Sequence, residues 1–330
     1  MYSLNVSGFS NSSAQYRCKL NEDFKYVLLP VGYGLVFVVG LVLNITAMYA
    51  ILFRIKDWSP NTIYMINLTV CDTLYILTLP FLVYYYADRD VWPFSEAFCK
   101  VIRFLFYTNL YGSILFLCCI SFHRFLGVCH PVRSMCWVTV HRARITSIAV
   151  WVIVLIIQAP VLYFSRTRNA GNELVCHDTT SDELFVYFLV YSSVVTLLFF
   201  LLPFLLVLVC NGLMVRKLLK PGTVGGAKSQ RSKKKSVKMI VIVLLTFVLC
   251  FLPFHLTRSL YYCCRHLEVR CSLLEASSIA YKITRPLAST NSCIDPILYF
   301  MAGQGFRRSM AKGVKKGQRM EEAKSLSTSL

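Results

Sequence analysis

The feature that most constrains this chain is a set of long apolar segments, and the segment that ends near Tyr262 is the clearest of them. From Met239, about fourteen almost unbroken apolar residues lead to Pro253. A run of this kind crosses a membrane as a helix, and Pro253 removes one backbone hydrogen bond from that helix. His255 and Arg258 follow one turn apart, on one face. Because an arginine within a span is costly, we interpret Arg258 as a functional group facing the bundle interior.

Further apolar segments indicate an integral membrane protein. Hydrophobic residues make up 56% of the 330 residues and charged residues only 15%, which is too apolar for a soluble domain. Segments of spanning length lie at roughly 26–53, 62–86, 98–127, 146–164, 184–213, 238–262 and 275–302. We predict an all-α bundle of seven transmembrane helices over 26–302, an extracellular tail over 1–25, and a cytoplasmic segment over 303–330 that begins with a short amphipathic helix. The polar start of the chain lacks the pattern of a cleavable signal peptide.

The distribution of charge predicts the orientation. The formal net charge is +19, and most Lys and Arg residues fall on the side where the only acids are Asp57, Glu321 and Glu322. This is the positive-inside pattern, which places the N-terminus outside a multi-pass plasma-membrane protein. Glycosylation acceptors at Asn5 and Asn11 agree with that placement. The basic balance thus indicates topology and attraction to anionic lipid, and we predict no nucleic-acid binding.

The extracellular cysteines offer two bridges. Cys99 opens the third span and Cys176 lies in the loop after the fourth, so a bridge between them would pin that loop over the bundle. Cys18 with Cys271 would tie the N-terminal tail to the last outer loop. Spacing alone does not give the connectivity. Cys263 and Cys264 could compete for partners, and we interpret both as reduced.

Polar groups also lie deep in the predicted spans. Asp72 places a carboxylate in hydrocarbon, where an acid is normally paired or sits in a polar cavity with water or an ion. Asn44, Asn291 and Asp295 are its candidate partners, the last two on one face at i and i+4. Arg124 ends the third span, either snorkelling to lipid headgroups or serving a function.

Cations and tyrosines collect at the outer ends of the third, sixth and seventh spans. The set is Arg103, Tyr107, Tyr111, His255, Arg258, Lys282 and Arg285. No span residue near this level is acidic, so only loop acids such as Asp178, Asp182 and Glu183 could pair with the cations. Arginine matches phosphate or carboxylate oxygens bidentately, and tyrosine rings stack on planar groups. The set therefore predicts a polyanionic ligand with a planar part, such as a nucleotide.

Other classes of protein find less support. The sequence contains no glycine-rich phosphate loop, no helical metal-ligand motif and no serine-nucleophile elbow, so we predict that the chain is not an enzyme. A transporter would show paired repeats with interrupted helices, and none is visible. A receptor for another small anion, a dicarboxylate or an acidic lipid, remains the alternative because it also needs a cationic pocket.

One anchor residue or motif per span resembles the rhodopsin-like, or class A, G-protein-coupled receptors. In order these are Asn44, Asp72 after Asn67-Leu68, Cys99 with Arg124, Trp151, Pro203, Phe251-x-Pro253 and Asp295-Pro296-x-x-Tyr299. Within that family, His255-x-x-Arg258 and Lys282-x-x-Arg285 are similar to the metabotropic nucleotide receptors, or purinoceptors. The segments Tyr84–Tyr86, Arg103–Tyr107 and Arg285–Ser289 resemble the branch that responds to uridine and adenine nucleotides.

The resemblance implies a function and a role for each matching residue. The chain would be a cell-surface receptor for UTP or ATP that activates Gq, phospholipase C and calcium release, and would also meet arrestin and receptor kinases. The five cationic or imidazole side chains would hold phosphates, with Tyr107 near the base or ribose. Cys99–Cys176 and Cys18–Cys271 would be disulfides. A sodium ion, the one ion implied, would lie at Asp72 with Asn44 and Asn291.

The same resemblance implies how the receptor switches. Arg124 would meet the G protein when the sixth helix swings outward about Pro253, with Phe251, Asp295, Pro296 and Tyr299 as further switch residues. The chain departs from the family pattern at several positions, two of which belong to the switch, and the loop Asp88-Arg89-Asp90 lacks the Arg-Gly-Asp order of one relative. His123 replaces the acid that usually precedes the arginine, which puts the inactive-state salt bridge in doubt, and Phe251 replaces a tryptophan. The final residues Thr328–Leu330 fit a peptide groove of the PDZ type.

Overall fold

The fold is described by a computed structural model that covers residue 18 and residues 21–55, 58–170, 173–176, 182–219 and 227–302. Asn5, Asn11, the predicted helix and tail over 303–330, and the Thr328–Leu330 motif lie outside these ranges. The backbone of Tyr299 is within them, but its side chain is not.

Seven spans form the bundle, as predicted. We number them in chain order: Lys25–Arg54, Pro60–Ala87, Glu96–Cys129, Val140–Phe164, Phe185–Leu219, Ser236–His266 and Cys271–Ala302. The first six are long and apolar enough to cross a membrane by length and composition. The seventh consists of two helices, Cys271–Ser289 and Asn291–Ala302, and its outer half carries Lys282 and Arg285. These charges lower its hydropathy and place it inside the bundle.

Several helices extend past the predicted ends. The fourth span begins at Val140 rather than near 146, and the sixth ends at His266 rather than near 262. The extra turns carry charged side chains such as Arg142 and Arg265, which an apolar-run criterion excludes but which reach water or headgroups from a helix. Thr139 caps the fourth span, where its hydroxyl accepts from the Arg142 amide at 3.3 Å.

Short elements connect the spans. A helix over Pro131–Trp137 follows the third span, and a 3₁₀ turn over Asp182–Leu184 precedes the fifth. Between them, β1 (Thr167–Ala170) and β2 (Glu173–Cys176) pair antiparallel as a hairpin. The backbone N–H of Trp92 donates to the carbonyl of Leu174 at 2.8 Å. This bond joins the hairpin to the loop between the second and third spans.

Prolines shape the fifth and sixth spans in the same way. Each contains a π-helical stretch, Leu197–Leu201 or Thr246–Phe251, that ends two residues before a proline, Pro203 or Pro253. A proline cannot donate to the carbonyl four residues back and its ring crowds that carbonyl, and the wider π turn accommodates both effects. The break predicted at Pro253 therefore takes the form of a widened turn before it.

Two disulfides fasten the extracellular face. Cys18 bonds to Cys271, and Cys99 bonds to Cys176, with Cα atoms 5.5 Å and 5.9 Å apart. The structure thus contains both bridges that the resemblance implies. Cys263 and Cys264 are reduced, as expected.

Close helix contacts fix the packing in the membrane. The Trp151 indole donates to the Asn67 side-chain oxygen at 2.8 Å and joins the fourth span to the second. Gly32 lies so close to the seventh span that a Cβ there would meet the Pro286 ring at 2.8 Å, whereas a Cβ at Gly34 would meet nothing within 4 Å. Small residues at such crossings let helix backbones approach.

We expect Gly32→Ala to lower the thermal midpoint of the detergent-solubilised receptor by roughly 2–6 °C, since overpacking costs about 1–3 kcal/mol. Pro286 is a rigid ring and cannot rotate away. Gly34→Ala is the matched control and should leave the midpoint unchanged or slightly higher, because alanine favours the helix. Equal midpoints for the two variants in a thermal-shift assay would contradict the contact.

Candidate ligand site

An open cavity of about 360 Å³ lies at the outer end of the bundle. Its walls come from the first, second, sixth and seventh spans and from the β-hairpin. Pockets for small molecules typically measure about 300–1,000 Å³. The cavity is therefore large enough for a ligand of nucleotide or metabolite size.

The walls of this cavity carry an excess of positive charge. Six basic side chains line it, namely Lys25, Arg166, Arg168, Arg265, Lys282 and Arg285. The acids among the described lining residues are Glu22 and Asp90. Tyr85, Tyr86, Tyr261 and Tyr281 supply aromatic surface. This composition suits a ligand with several negative charges and a planar group.

The predicted site residues divide between two levels. Lys282 and Arg285 line the cavity, and Arg285 donates to the hydroxyls of Tyr86 at 3.1 Å and Tyr281 at 3.3 Å. The other five residues are buried and are not among the described lining residues of the cavity. They are Arg103, Tyr107, Tyr111, His255 and Arg258. The structure thus brings all seven to the outer half of the bundle, but only Lys282 and Arg285 are among the described lining residues of the cavity, and Arg285 is itself buried.

Tyrosines surround Arg258 beneath the cavity. Its guanidinium donates to the Tyr111 hydroxyl at 3.2 Å and lies 4.7 Å from the ring centre of Tyr107 and 5.4 Å from that of Tyr262. Only 3% of Arg258 is exposed. The aromatic faces and the hydroxyl stabilise the buried charge through cation–π and hydrogen-bond contacts. Arg258 thereby joins the sixth span to the third.

Tyr281 connects the two levels. It lines the cavity, accepts from Arg285, and its hydroxyl lies 3.5 Å from that of Tyr262, which contacts Arg258. The ring of Tyr281 also stacks on that of Tyr261, with centroids 5.6 Å apart. A ligand that moves Tyr281 would therefore affect Arg258 as well.

Arg103 and His255 are held by other contacts. Arg103 donates to the Cys176 carbonyl at 3.2 Å, and Tyr85 donates to the same carbonyl at 3.3 Å. These bonds fix the end of the hairpin against the second and third spans. The imidazole of His255 stacks on Phe200 with centroids 4.1 Å apart. Neither ring nitrogen of His255 has a hydrogen-bond partner among the side chains and backbone that the structure describes.

The acid that pairs with the predicted cations is not one of the loop acids expected from the sequence. Asp178 and the Asp182 side chain lie outside the described residues, and Glu183 is exposed. Glu22, in the N-terminal tail, instead forms ion pairs with Lys282 and Lys25. Burial alone would raise the pKa of Glu22, but Lys282 and Lys25 outweigh it and hold the pKa below its usual value. Glu22 is therefore ionised at neutral pH.

Sequence reasoning missed several residues of this cavity, although some left a signal. Glu22 follows Cys18 by four positions, and the Cys18–Cys271 bridge draws that segment toward the seventh span. Tyr86 belongs to the Tyr84–Tyr86 run that marked the family resemblance. Arg166, Arg168 and Arg265 gave no such sign, because the sequence placed them beyond the predicted ends of the spans, where arginines are ordinarily solvated.

A polar core lies near mid-membrane, with different hydrogen bonds from those expected. Asp72 is fully buried and accepts from Asn109 and Ser292 at 2.8 Å each. Asn44 donates to the backbone carbonyls of Gly40 and Ser292 rather than to Asp72. The amide nitrogen of Asn291 has no partner in the part of the chain that the structure describes. Within the described residues, none of the partners that the sequence offered hydrogen-bonds to Asp72; Asn109 of the third span and Ser292 of the seventh supply the donors.

The same core has an excess of acceptors. Within the described residues, one oxygen of Asp72, both carboxylate oxygens of Asp295 and the hydroxyl of Ser113 are buried without hydrogen-bond partners. Buried polar groups are normally satisfied, and two buried carboxylates without a nearby cation are costly. Carboxylate and hydroxyl oxygens of this kind are suitable ligands for a small hard cation such as sodium.

The remaining switch residues lie at the cytoplasmic end of the third span and in the middle of the sixth. Arg124 forms no ion pair within the described residues, and its Nε is buried without a hydrogen-bond partner there. His123 turns toward the second span, where its Nε2 lies 3.2 Å from the Tyr64 hydroxyl. Phe251 is fully buried and packs edge-on to Phe247 at 5.4 Å.

Comparison with known proteins gives the family. Residues 43–299 match the family described as 7 transmembrane receptor (rhodopsin family). The chain belongs to this rhodopsin family, so it is a multi-pass plasma-membrane receptor of the G-protein-coupled class and not an enzyme.

Relatives narrow the assignment. The chain is 58% identical to P2Y purinoceptor 2 of Mus musculus over 291 residues, 88% of this chain and 78% of that protein. It is 58% identical to P2Y purinoceptor 2 of Homo sapiens, over 88% of this chain and 77% of that protein. Identity to P2Y purinoceptor 4 of Mus musculus is 46%, over 92% and 83%. Within the rhodopsin family, the chain is thus a P2Y purinoceptor, as the resemblance predicts.

We expect Tyr111→Phe to destabilise the solubilised receptor by about 1–3 kcal/mol, because a buried Arg258 nitrogen loses its acceptor. Tyr187→Phe removes the same hydroxyl from a side chain that is 69% exposed and should change the thermal midpoint little. If Tyr111→Phe and the Tyr187→Phe control have the same thermal midpoint, the Tyr111 hydroxyl does not stabilise the buried guanidinium of Arg258.

Proposed function

We propose that this receptor binds extracellular nucleotides, with UTP or ATP as ligand, and activates Gq, phospholipase C and calcium release. The observation that carries the proposal is the cavity, whose described lining residues include six basic side chains, four tyrosines and two acids. The relatives at 58% identity are named purinoceptors, which supports a nucleotide over a dicarboxylate or an acidic lipid.

The phosphates bind first to the cations that line the cavity. Lys282 and Arg285 lie one helical turn apart on the seventh span, and Arg265 faces them from the sixth. A triphosphate offers enough oxygens to engage several such groups at once, and partial burial strengthens each charge-assisted bond. Loss of one such bond typically costs about 1.5–3 kcal/mol.

The buried residues around Arg258 contact the ligand after the phosphates have bound. Tyr281 lines the cavity, and its hydroxyl lies 3.5 Å from that of Tyr262, whose ring contacts Arg258. Movement of Tyr281 toward the base or phosphates opens a path to Arg258. Tyr107 and Tyr111 then approach the base or ribose, and Arg103 and His255 border the same region.

Signalling follows from the helices that these contacts join. The third, sixth and seventh spans meet through Arg258, Tyr107 and Tyr281. A nucleotide activates only if it binds the active arrangement more tightly than the inactive one. Drawing the outer ends together turns the sixth span about the π stretch before Pro253, and its inner end exposes Arg124 to the G protein. Arrestin, receptor kinases and a PDZ-type partner at Thr328–Leu330 remain proposals from the resemblance and the sequence.

We expect Arg285→Ala to raise the half-maximal agonist concentration roughly 10–100-fold, which corresponds to one lost charge-assisted bond. The measurement is intracellular calcium in transfected cells that lack endogenous nucleotide responses, challenged with UTP, ATP, UDP and ADP. Cells without Gq-family α subunits test the coupling.

Arg270→Ala provides the matched control, since it removes one exposed arginine from the same side of the membrane. It should respond as the wild type does, and surface labelling should show equal expression of all variants. An unchanged dose response in Arg285→Ala would reject the phosphate role. Silence of the wild type to all four nucleotides at normal surface expression would reject the proposed ligand.

We further propose that sodium binds at Asp72, with Asp295 and Ser113 contributing their unpartnered oxygens. Sodium chloride should then raise the thermal midpoint by roughly 2–4 °C over choline chloride at equal ionic strength. The shift should vanish in Asp72→Asn and persist in Glu183→Gln, which removes an exposed acid. A sodium shift that survives in Asp72→Asn would exclude this site.

A further inference from the structure

The N-terminal tail places an acid on the proposed phosphate site. We propose that Glu22 is an intramolecular competitor of the ligand: its carboxylate occupies Lys282 in the unliganded receptor, and a phosphate must displace it. The inference rests on the proposed function and adds a residue that sets agonist potency.

The contacts of Glu22 are those that a phosphate would use. Its Oε2 pairs with Lys282 and lies 3.2 Å from the Lys25 ammonium, and its Oε1 accepts from the Ser278 hydroxyl at 2.9 Å. All four residues line the cavity. Two cations and a hydroxyl thus converge on one carboxylate, an arrangement that holds anions in general.

The neighbouring charges make this contact specific to Glu22. Asp90, the other acid of the cavity, pairs with Lys25 at 2.5 Å and accepts from the Tyr26 hydroxyl at 3.1 Å. No ion pair joins Asp90 to Lys282 within the described residues. Arg265, Arg166 and Arg168 also line the cavity, and no ion pair joins them to Glu22 within the described residues. Glu22 is therefore the acid whose removal changes the state of Lys282.

The position of Glu22 in the chain holds it at the cavity mouth. It lies between Cys18, bonded to Cys271, and Lys25, the first residue of the first span. With a side-chain exposure of 19%, the carboxylate is partly shielded from water, so the ion pair is screened less than one on an open surface. Ligand binding must break this pair before Lys282 becomes available.

The test compares Glu22→Gln with Asp23→Asn. Both remove one acid from adjacent positions, but Asp23 is exposed. We expect Glu22→Gln to lower the half-maximal agonist concentration about three- to tenfold and Asp23→Asn to change it less than twofold. In a Lys282→Gln background the effect of Glu22→Gln should fall below twofold, which a merely structural role of the tail would not produce. Equal potencies of Glu22→Gln and Asp23→Asn would overturn the inference, while leaving the nucleotide function intact if the wild type responds.

A second measurement makes the inference independent of the nucleotide response. Thermal-shift titration of the purified receptor with inorganic tripolyphosphate should reach half-saturation at a three- to tenfold lower concentration for Glu22→Gln than for Asp23→Asn. Equal concentrations overturn the inference even if nucleotides give no signal. If Glu22→Gln fails to reach the surface, Glu22→Ala replaces it, because it also removes the carboxylate from Lys282 and leaves the Ser278 hydroxyl in place. It should shift the titration in the same direction, and no shift counts against the inference.

Discussion

Buried arginine that cannot lose its proton determines how the outer half of this receptor is built. A guanidinium stays charged at any physiological pH, so Arg258 and Arg285 must be stabilised where they lie. Among the described residues, tyrosine hydroxyls and ring faces contact Arg258 and Arg285, and a backbone carbonyl accepts from Arg103. Such partners solvate a charge without cancelling it. The site therefore keeps a net positive potential that an incoming anion relieves.

The middle of the bundle presents the opposite problem. Asp72 and Asp295 place two carboxylates near mid-membrane, and the donors that the structure describes for Asp72 are one amide and one hydroxyl. The third span carries both Tyr107 of the cationic level and Asn109 of the acidic one, only two residues apart. The proposed anion in the outer cavity and the proposed sodium ion at mid-membrane would thus act on the same helix. Any coupling between the two ligands must be reciprocal.

Sequence patterns could predict the bundle but only part of the site. Apolar length gave the seven spans, and the spacing of three placed each cation pair on one face. Yet His255 with Arg258 is buried, whereas Lys282 with Arg285 lines the cavity. Depth and rotation of a helix are set by its neighbours, such as Pro286 against Gly32, and no single-helix pattern contains them. For the same reason Asn109 and Ser292 escaped prediction as partners of Asp72.

The disulfide between Cys18 and Cys271 also changes the concentration at which the tail acts. The Glu22 carboxylate lies four residues from the bridged Cys18, so its effective concentration at Lys282 is on the order of millimolar. This concentration does not depend on receptor density. The extracellular ligand must therefore compete with a tethered carboxylate whose local concentration is constant. The number of residues between Cys18 and Glu22 would therefore affect the agonist concentration that the receptor requires, although none of these residues needs to contact the ligand.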